Sequence, residues 1–419
     1  MAPTAKRGVV LRRFERRAKD WLILRLVVWM KPRQLPTRPD WSSGPHRVLV
    51  LRYDRLGDMI LSTGIIKAIA RAQPTVAIDV LASVQNSQVL EGNPNVGCVL
   101  TVQRRRPLSW IAVIRRMRRS RYDAVIDVMV MAPSLTTMLV MWLSGARHRI
   151  GLGDRGNESI FTLPVKRVQG AVHYIDHSAA LLGAFGVDPQ AQRPREGPRP
   201  QGLPCCLHGP QVQVSGAGGW GIWRPEIFLT ATETGGAATQ WRRAASPPGG
   251  TGPACRLVVN VSAGGAWRYW PAESFVAVLK ALKAQFPRLE CLVIGAPHDG
   301  ARMEAIGRGG GAAVAHTRHA REMMAIVAAS DVVFTADTAV THVASAFGKP
   351  ILTMFARGKA ELWGPYDIPG GVVATHAASL DALDVPSVLA SLVGVLEIAA
   401  AGQRVPAAAP TTAGATQIC

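Results

Sequence analysis

What most limits the folds open to this chain is a repeated alternation of short, unbroken apolar runs with helix-length segments. Arg47 to Tyr53 is built on Val48-Leu49-Val50-Leu51 with no polar residue between them, which suits a strand covered on both faces. A helix-like segment, Met59 to Arg71, follows within a few residues. Further runs at Val76–Leu81, Val96–Val102 and Ala124–Val130, with a basic helix at Trp110–Arg119, repeat the unit. Parallel strands need a long crossover between them, so this spacing predicts a doubly wound parallel sheet.

The pattern stops and then resumes. Residues 195–255 hold twelve Gly and eight Pro in 61 positions, with neither Lys nor Asp, and no regular element can be read there. Such a bias is also what a GC-rich gene gives when translated out of frame, so a compensated frameshift is one reading of the segment. From Arg256 the alternation returns: a strand at Leu257-Val258-Val259-Asn260-Val261, a Gly-rich turn at Ser262–Gly265, and a helix at Pro271–Gln285. Strands at Leu289–Ile294, Val332–Thr335 and Ile351–Phe355 and helices at Arg321–Ala329 and Thr338–Phe347 complete a second α/β unit. The expected organisation is an N-terminal extension (1–45), an α/β domain (46–190), an irregular connector (191–255), a second α/β domain (256–385), and a terminal helix with a disordered tail (386–419). Two such domains leave a cleft between the carboxyl ends of their sheets, where ligands bind in this architecture.

With 419 residues and 48% hydrophobic content, the chain can build packed cores, which excludes disorder throughout or a fibrous coil. Its net charge of +20 is unevenly placed. Residues 1–38 carry eleven Lys and Arg against Glu15 and Asp20, interleaved with Phe14, Trp21, Leu22, Leu24, Val28 and Trp29, a pattern of basic amphipathic helices on anionic lipid. A second cluster, Arg104, Arg105, Arg106, Arg115, Arg116, Arg118, Arg119 and Arg121, has no acid within it. Both point to an acidic partner or surface, with a solvated basic face as the alternative. Neither shows a nucleic-acid-binding pattern, and no nucleic-acid partner is expected. The run Trp21–Met30 is too short to span a bilayer and lacks a cleavage site. The cysteines Cys98, Cys205, Cys206, Cys255, Cys291 and Cys419 show no disulfide or metal spacing, so a reducing compartment and no metal site are expected.

Three loops carry candidate chemistry. Arg52-Tyr53-Asp54-Arg55-Leu56-Gly57-Asp58 lies at the carboxyl end of the first strand, where Asp58 is placed either to act as a general base or to cap the helix through Ile60 or Leu61. Asp337-Thr338-Ala339-Val340-Thr341-His342 opens a helix whose free N–H groups suit a diphosphate; plain capping by Asp337, with His342 satisfied internally, is the alternative. Ser262-Ala263-Gly264-Gly265, with Arg268 beyond it, offers backbone donors and a fixed positive charge, unless it is an ordinary βα loop. Gly151, Gly153 and Gly156 match GxGxxG, but no long helix follows, and there is no GxxxxGK[ST] and no DxD.

These motifs, in this order, resemble glycosyltransferase family nine, the ADP-heptose:lipopolysaccharide heptosyltransferases. The stretch VLVLRYDRLGDMILSTGIIKAIARAQP looks like that family's opening strand, loop and helix; NVSAGGAWRYWPAESF is similar to its Gly-rich turn; TADTAVTHVASAFGKPILTMFARGKAELWGPY resembles its helix start and later Trp-Gly-Pro-Tyr. The likeness covers roughly residues 46–190 and 256–385. It implies a GT-B fold, two doubly wound parallel-sheet domains facing each other across a cleft, the first on the acceptor side and the second binding nucleotide sugar. It also implies an inverting, metal-independent transfer of heptose from ADP-heptose to the lipopolysaccharide inner core, without a cofactor. By match of position, Asp58 would be the base, Arg268 (usually Lys) would neutralise the departing diphosphate, and Thr338 and Ala339 would bind it. Asp299 would meet the ribose, Asp337 and His342 would shape the donor site with Ser262 and Gly264, and Arg52, Arg55, Arg104, Arg105 and Arg106 would face the acceptor. Ala339 and Val340 stand where Gly and Pro are common, Gly64 replaces a usual Pro, and Phe355–Lys359 replaces a Gly-Pro-Thr-Asp type loop. The expected place of work is the cytoplasmic side of the anionic inner membrane. A non-catalytic sugar-nucleotide-binding protein, or a transferase with another nucleotide sugar, is the competing reading.

Overall fold

The computed structural model describes residues 38–130, 135–153, 160–170, 172–189, 212–214, 223–244, 255–357, 360–402 and 417–418. The N-terminal extension up to residue 37 therefore lies outside the described residues. In the first half, β1 (His46–Arg52), α1 (Leu56–Ala72), β2 (Val76–Ser83), β3 (Cys98–Val102), α2 (Pro107–Ser120), β4 (Ala124–Asp127), α3 (Leu135–Leu143), β5 (His148–Leu152), β6 (Leu163–Val165) and α4 (Tyr174–Ala179) follow one another. Their strands pair in parallel in the order β3-β2-β1-β4-β5-β6, with β1 in register His46↔Val76 and Val48↔Ala124. The second half brings β7 (Val212–Val214), α5 (Ala231–Ala244), β8 (Cys255–Asn260), α6 (Ala272–Gln285), β9 (Leu289–Ile294), α7 (Gly300–Gly310), β10 (Ala313–Val314), α8 (Ala320–Ala328), β11 (Val332–Ala336), α9 (Ala339–Phe347), β12 (Ile351–Ala356), α10 (Ala360–Trp363), β13 (Gly370–Thr375) and α11 (Val385–Gly402). The same parallel order recurs as β10-β9-β8-β11-β12-β13, extended by β7 running antiparallel to β13. A last short strand, β14 (Gln417–Ile418), pairs with β3 of the first sheet.

The apolar runs are unbroken because each strand feeds two cores. Val48 and Val50 of β1 join the cluster formed with α1, whereas Leu49 and Leu51 join the one that contains Val113 and Met117 of α2. In β8, Val258 faces the first cluster while Leu257 and Val259 face that of α6 and α11. Burying one such side chain contributes about 1.5–3 kcal/mol, so a polar residue within these runs would be costly on either face. The first cluster also continues from α1 into α8 and α9, so apolar packing joins the halves.

In both sheets the strand order reverses at one place, between β1 and β4 and between β8 and β11. Such switch points open crevices at the carboxyl ends of the strands. They lie at Arg52–Asp58 with Asp127, and at Asn260–Gly265 with Ala336–Thr338.

The connector departs from expectation. Within the stretch read as devoid of regular elements, α5 buries Ala237 and Trp241, one helical turn apart, and Trp241 Nε1 donates to the Ile326 carbonyl at 3.3 Å. Residues 223–230 cross α1: the Glu226 N–H donates to Thr63 Oγ1 at 2.8 Å, and Lys67 Nζ donates to the Arg224 carbonyl at 2.9 Å and pairs with Glu226 at 3.2 Å. A Cβ on Gly64 would lie 1.8 Å from the Trp223 carbonyl oxygen, so the replacement of Pro there is what lets the connector pass. Reciprocal contacts of this kind are not what an out-of-frame stretch gives, and that reading is set aside for residues 223–244. Most of residues 191–222 and 245–254 lie outside the described residues.

Candidate active site

The first crevice is built around charge. Arg52 ends β1 and is only 1% exposed, so the expectation that it faces an acceptor does not hold: its guanidinium is spent inside. Nε donates to the Asp58 carbonyl at 3.1 Å and to Ser62 Oγ at 2.8 Å, Nη1 pairs with Asp54 at 3.1 Å, and Nη2 donates to the Tyr174 hydroxyl. Burial works against its charge, but Tyr174, Asp54 and Asp58 outweigh it and hold Arg52 firmly protonated. Tyr174, whose hydroxyl donates to the Val128 carbonyl at 2.6 Å, has its own proton affinity raised to about 12 by burial.

Asp58 is half-buried in the first turn of α1. The cap position belongs to Arg55, and no side-chain cap bond forms there, so the capping reading of Asp58 fails. Burial, reinforced by the neighbouring Asp54 carboxylate and opposed by Arg52 and Arg55, pushes the Asp58 carboxyl up from 3.8 to about 6. Asp127, at the end of β4, is likewise raised to about 6 by burial, although it accepts from the Met129 N–H at 2.9 Å. A carboxyl poised near neutrality suits proton abstraction from a hydroxyl.

The second crevice holds its helix start with neutral groups and keeps its charges paired or hydrogen-bonded beside them. Thr338, and not Asp337, caps α9: its Oγ1 accepts from the Val340 N–H at 3.2 Å and from Asn260 Nδ2 at 3.3 Å. Asn260 Nδ2 also donates to Thr335 Oγ1 at 2.9 Å. This network fixes the helix start and leaves the Ala339 N–H at a position where a helix supplies no internal partner. Arg268 Nη1 pairs with the Asp337 carboxylate at 3.2 Å and donates to its carbonyl at 3.1 Å, while its Cζ lies 4.4 Å over the Trp267 ring, which Arg357 covers at the same distance. Asp299 accepts from Ser262 Oγ, and from Tyr269 at 3.0 Å. Ser262, Gly264, Thr338 and Ala339 line a cavity of about 300 Å³ with Pro297, Thr317 and Met323. A larger hollow of about 850 Å³ shares Gly295–Pro297 and Thr317–Arg318 with it.

The crevices meet at Gly57. A Cβ there would lie 2.7 Å from His342 Cδ2 and 3.4 Å from the Ala339 Cα, so the residue before Asp58 packs on the first turn of α9. His342 is buried in this seam, lowered to about 3 by burial and by His173, and its Nδ1 makes no hydrogen bond among the described residues. It is therefore neutral and supplies shape, not charge.

A second seam escaped the sequence. His173 accepts from the Ile175 N–H at Nδ1, which leaves Nε2–H to donate to the Gly364 carbonyl at 3.1 Å. Trp363 stacks on Tyr174 at 4.7 Å, and the Tyr366 hydroxyl donates to Asp176 at 3.1 Å. The Trp-Gly-Pro-Tyr segment thus grips the start of α4, including Tyr174, which bonds Arg52. Arg55, Arg104, Arg105 and Arg106 are exposed on the first half. Among the described residues no cluster of metal-ligating side chains occurs, no disulfide joins Cys98, Cys255 or Cys291, and no helix is long and apolar enough to cross a membrane.

Residues 236–384 match glycosyltransferase family 9 (heptosyltransferase), a match that begins inside α5. The fold is shared with a family 9 glycosyl transferase from Veillonella parvula (TM-score 0.67, 18% identity, 85% of this chain and 98% of that one). It is shared also with the E. coli ADP-heptose LPS heptosyltransferase II (0.61, 16%, 86% and 100%) and with E. coli heptosyltransferase WaaC with ADP (0.61, 15%, 83% and 99%). No curated protein matches by sequence. The architecture is GT-B.

Proposed function

We propose that this chain, a heptosyltransferase-like glycosyltransferase, moves a heptose from ADP-heptose to the lipopolysaccharide inner core with inversion and without a metal. The observation that carries this reading is the contact of Gly57 with Ala339 and His342, which sets a carboxyl of raised proton affinity beside a capped helix start. Asp58 accepts the proton of an acceptor hydroxyl as that oxygen bonds to the anomeric carbon. The bond from that carbon to the diphosphate oxygen breaks, and ADP leaves with the electron pair. The Ala339 N–H and the α9 dipole meet the developing charge, and Arg268 neutralises it from the Asp337 side. Asp299, already turned by Ser262 and Tyr269, receives the ribose hydroxyls, and His342 and Asp337 shape the pocket. Arg55 and Arg104–Arg106 face a phosphate-rich acceptor, whose place at the inner-membrane surface accounts for the net charge.

The test is ADP release from ADP-heptose with a defined core acceptor. The wild-type chain should release ADP only when acceptor is present, and replacing ADP-heptose by other nucleotide sugars fixes the donor. Donor binding without ADP release under all these conditions would make the chain a non-catalytic binder.

A further inference from the structure

Among the described residues six large hydrophobic side chains are exposed, and four of them sit on two adjacent helices: Leu108 (79% exposed) and Ile111 on α2, Leu139 and Trp142 on α3. The packing explains why they are left outside. On α2 the positions Val113 and Met117 are buried, so Leu108, Ile111 and Ala112 fall on the opposite, solvent-facing side, followed at the helix end by exposed Arg115, Arg116, Arg118 and Arg119. On α3, Leu139 and Trp142 are three residues apart and share a face in the same way.

Between the helices lies a cavity of about 290 Å³ with aliphatic and aromatic walls, Trp110 and Ile114 from α2 and Leu139, Val140 and Leu143 from α3, and with Arg104 and Arg105 beside it. No acidic residue occurs from position 104 to 121. An apolar face bordered by arginines alone is poorly matched to water and to an acidic protein surface, which would leave the aliphatic groups uncovered. It matches a layer with anionic headgroups above hydrocarbon.

We infer that the α2–α3 face is a docking surface for an anionic phospholipid bilayer, with Leu108, Ile111, Leu139 and Trp142 entering the headgroup boundary and the arginines of α2 meeting lipid phosphates. The face is close to the reaction crevice. Tyr53, between Arg52 and Asp54, makes an edge-on contact with Trp110 at 5.2 Å and shares a hydrogen bond with Thr137 at 2.6 Å. Docking through it brings the loop that carries Asp58 to the bilayer surface. The biological sense of this rests on the lipid-anchored acceptor proposed above, but the binding itself does not.

The experiment is co-sedimentation of the full chain with vesicles of phosphatidylcholine alone or mixed with phosphatidylglycerol. The wild-type chain should pellet with the anionic vesicles and not with the neutral ones, and less so as salt is raised. Leu108→Glu/Ile111→Glu should weaken binding at least about tenfold, since it removes two of the four apolar anchors and adds repulsion. Arg115→Gln/Arg116→Gln should cost about fivefold per arginine, from roughly 1 kcal/mol each. Arg242→Gln/Arg243→Gln, on exposed α5 of the other half, should change nothing. Undiminished binding by the Leu108/Ile111 variant overturns the inference, and so does a wild-type dimer that becomes monomeric in that variant, because the face would then belong to a second copy. Vesicle binding lost in the variant while the chain shows no transferase activity would defeat the proposed function alone. Transfer to a soluble acceptor with no vesicle binding would defeat this inference alone.

Discussion

The two halves share one topology and place their working loops at the same point of it, yet they fill that point with opposite chemistry. At the switch point of the first sheet stand Arg52, Asp54, Asp58 and Asp127, charges so crowded and so poorly hydrated that two carboxyls are raised to about 6. At that of the second, Asn260, Thr335 and Thr338 hold a helix start beside an open cavity through neutral hydrogen bonds, and the one carboxylate between them, Asp337, is paired with Arg268. The fold supplies a position, and the side chains decide whether it handles protons or holds an anion.

The comparison can be broken most severely at Asp58. Asp58→Asn should lower turnover at least about a hundredfold while donor binding, followed by titration with ADP, stays nearly unchanged. In the wild-type chain kcat/KM should fall about tenfold per pH unit below about 6, as the carboxylate is protonated. The same carboxyl has a stability signature. Because its folded value lies above the ordinary 3.8, its contribution is full below about pH 4 and is lost as the pH rises through about 6. Thermal midpoints should therefore favour the Asn variant at pH 7 and coincide below pH 4.

Next in size, Arg268→Ala should cost about tenfold to a hundredfold in kcat/KM for the nucleotide sugar, the worth of a hydrogen bond to a charged group, with no change in the acid limb. A shift of that limb would show that the halves do not divide the work as described. Gly64→Ala should destabilise the chain by about 1–3 kcal/mol in denaturant unfolding, because the new methyl meets backbone, not a movable side chain. The smallest effect is expected from Trp363→Ala. Loss of its stack on Tyr174 is worth about 0.5–1.5 kcal/mol, and the change should appear in turnover more than in ADP affinity, since Tyr174 supports Arg52 and not the cavity.

The strands were legible because runs such as Val48–Leu51 leave no exposed face, and the loops because each follows such a run. Asp58 and Ala339 were found by motif, but their contact through Gly57 joins positions far apart in sequence and leaves no local trace. The same is true of Tyr174, whose bond to Arg52 spans 122 residues. Arg52 was misjudged because a basic residue at a strand end reads as a loop side chain, and only the packing of α4 over it shows otherwise. The helix α5 did carry a signal. Thr230 and Glu233 form a reciprocal capping box, with the Glu233 N–H donating to Thr230 Oγ1 at 3.3 Å and the Thr230 N–H to Glu233 Oε2 at 2.7 Å. Gly235 and Gly236 directly after it masked the pattern. Arg321 then clasps Glu233 through Nε at 2.6 Å and Nη2 at 2.7 Å, and no spacing rule could supply that partner.

The passage of the connector over α1 has a mechanical consequence. Arg224, whose carbonyl is held by Lys67 of α1, donates from Nε to the Ser345 carbonyl of α9 at 3.1 Å, so one residue bolts a helix of each half. A rotation of the halves that keeps these bonds must pivot close to that residue. Groups near the pivot then travel least, so Gly57 and Ala339, on the two helices that Arg224 joins, keep their spacing while parts of the halves farther from it are displaced more.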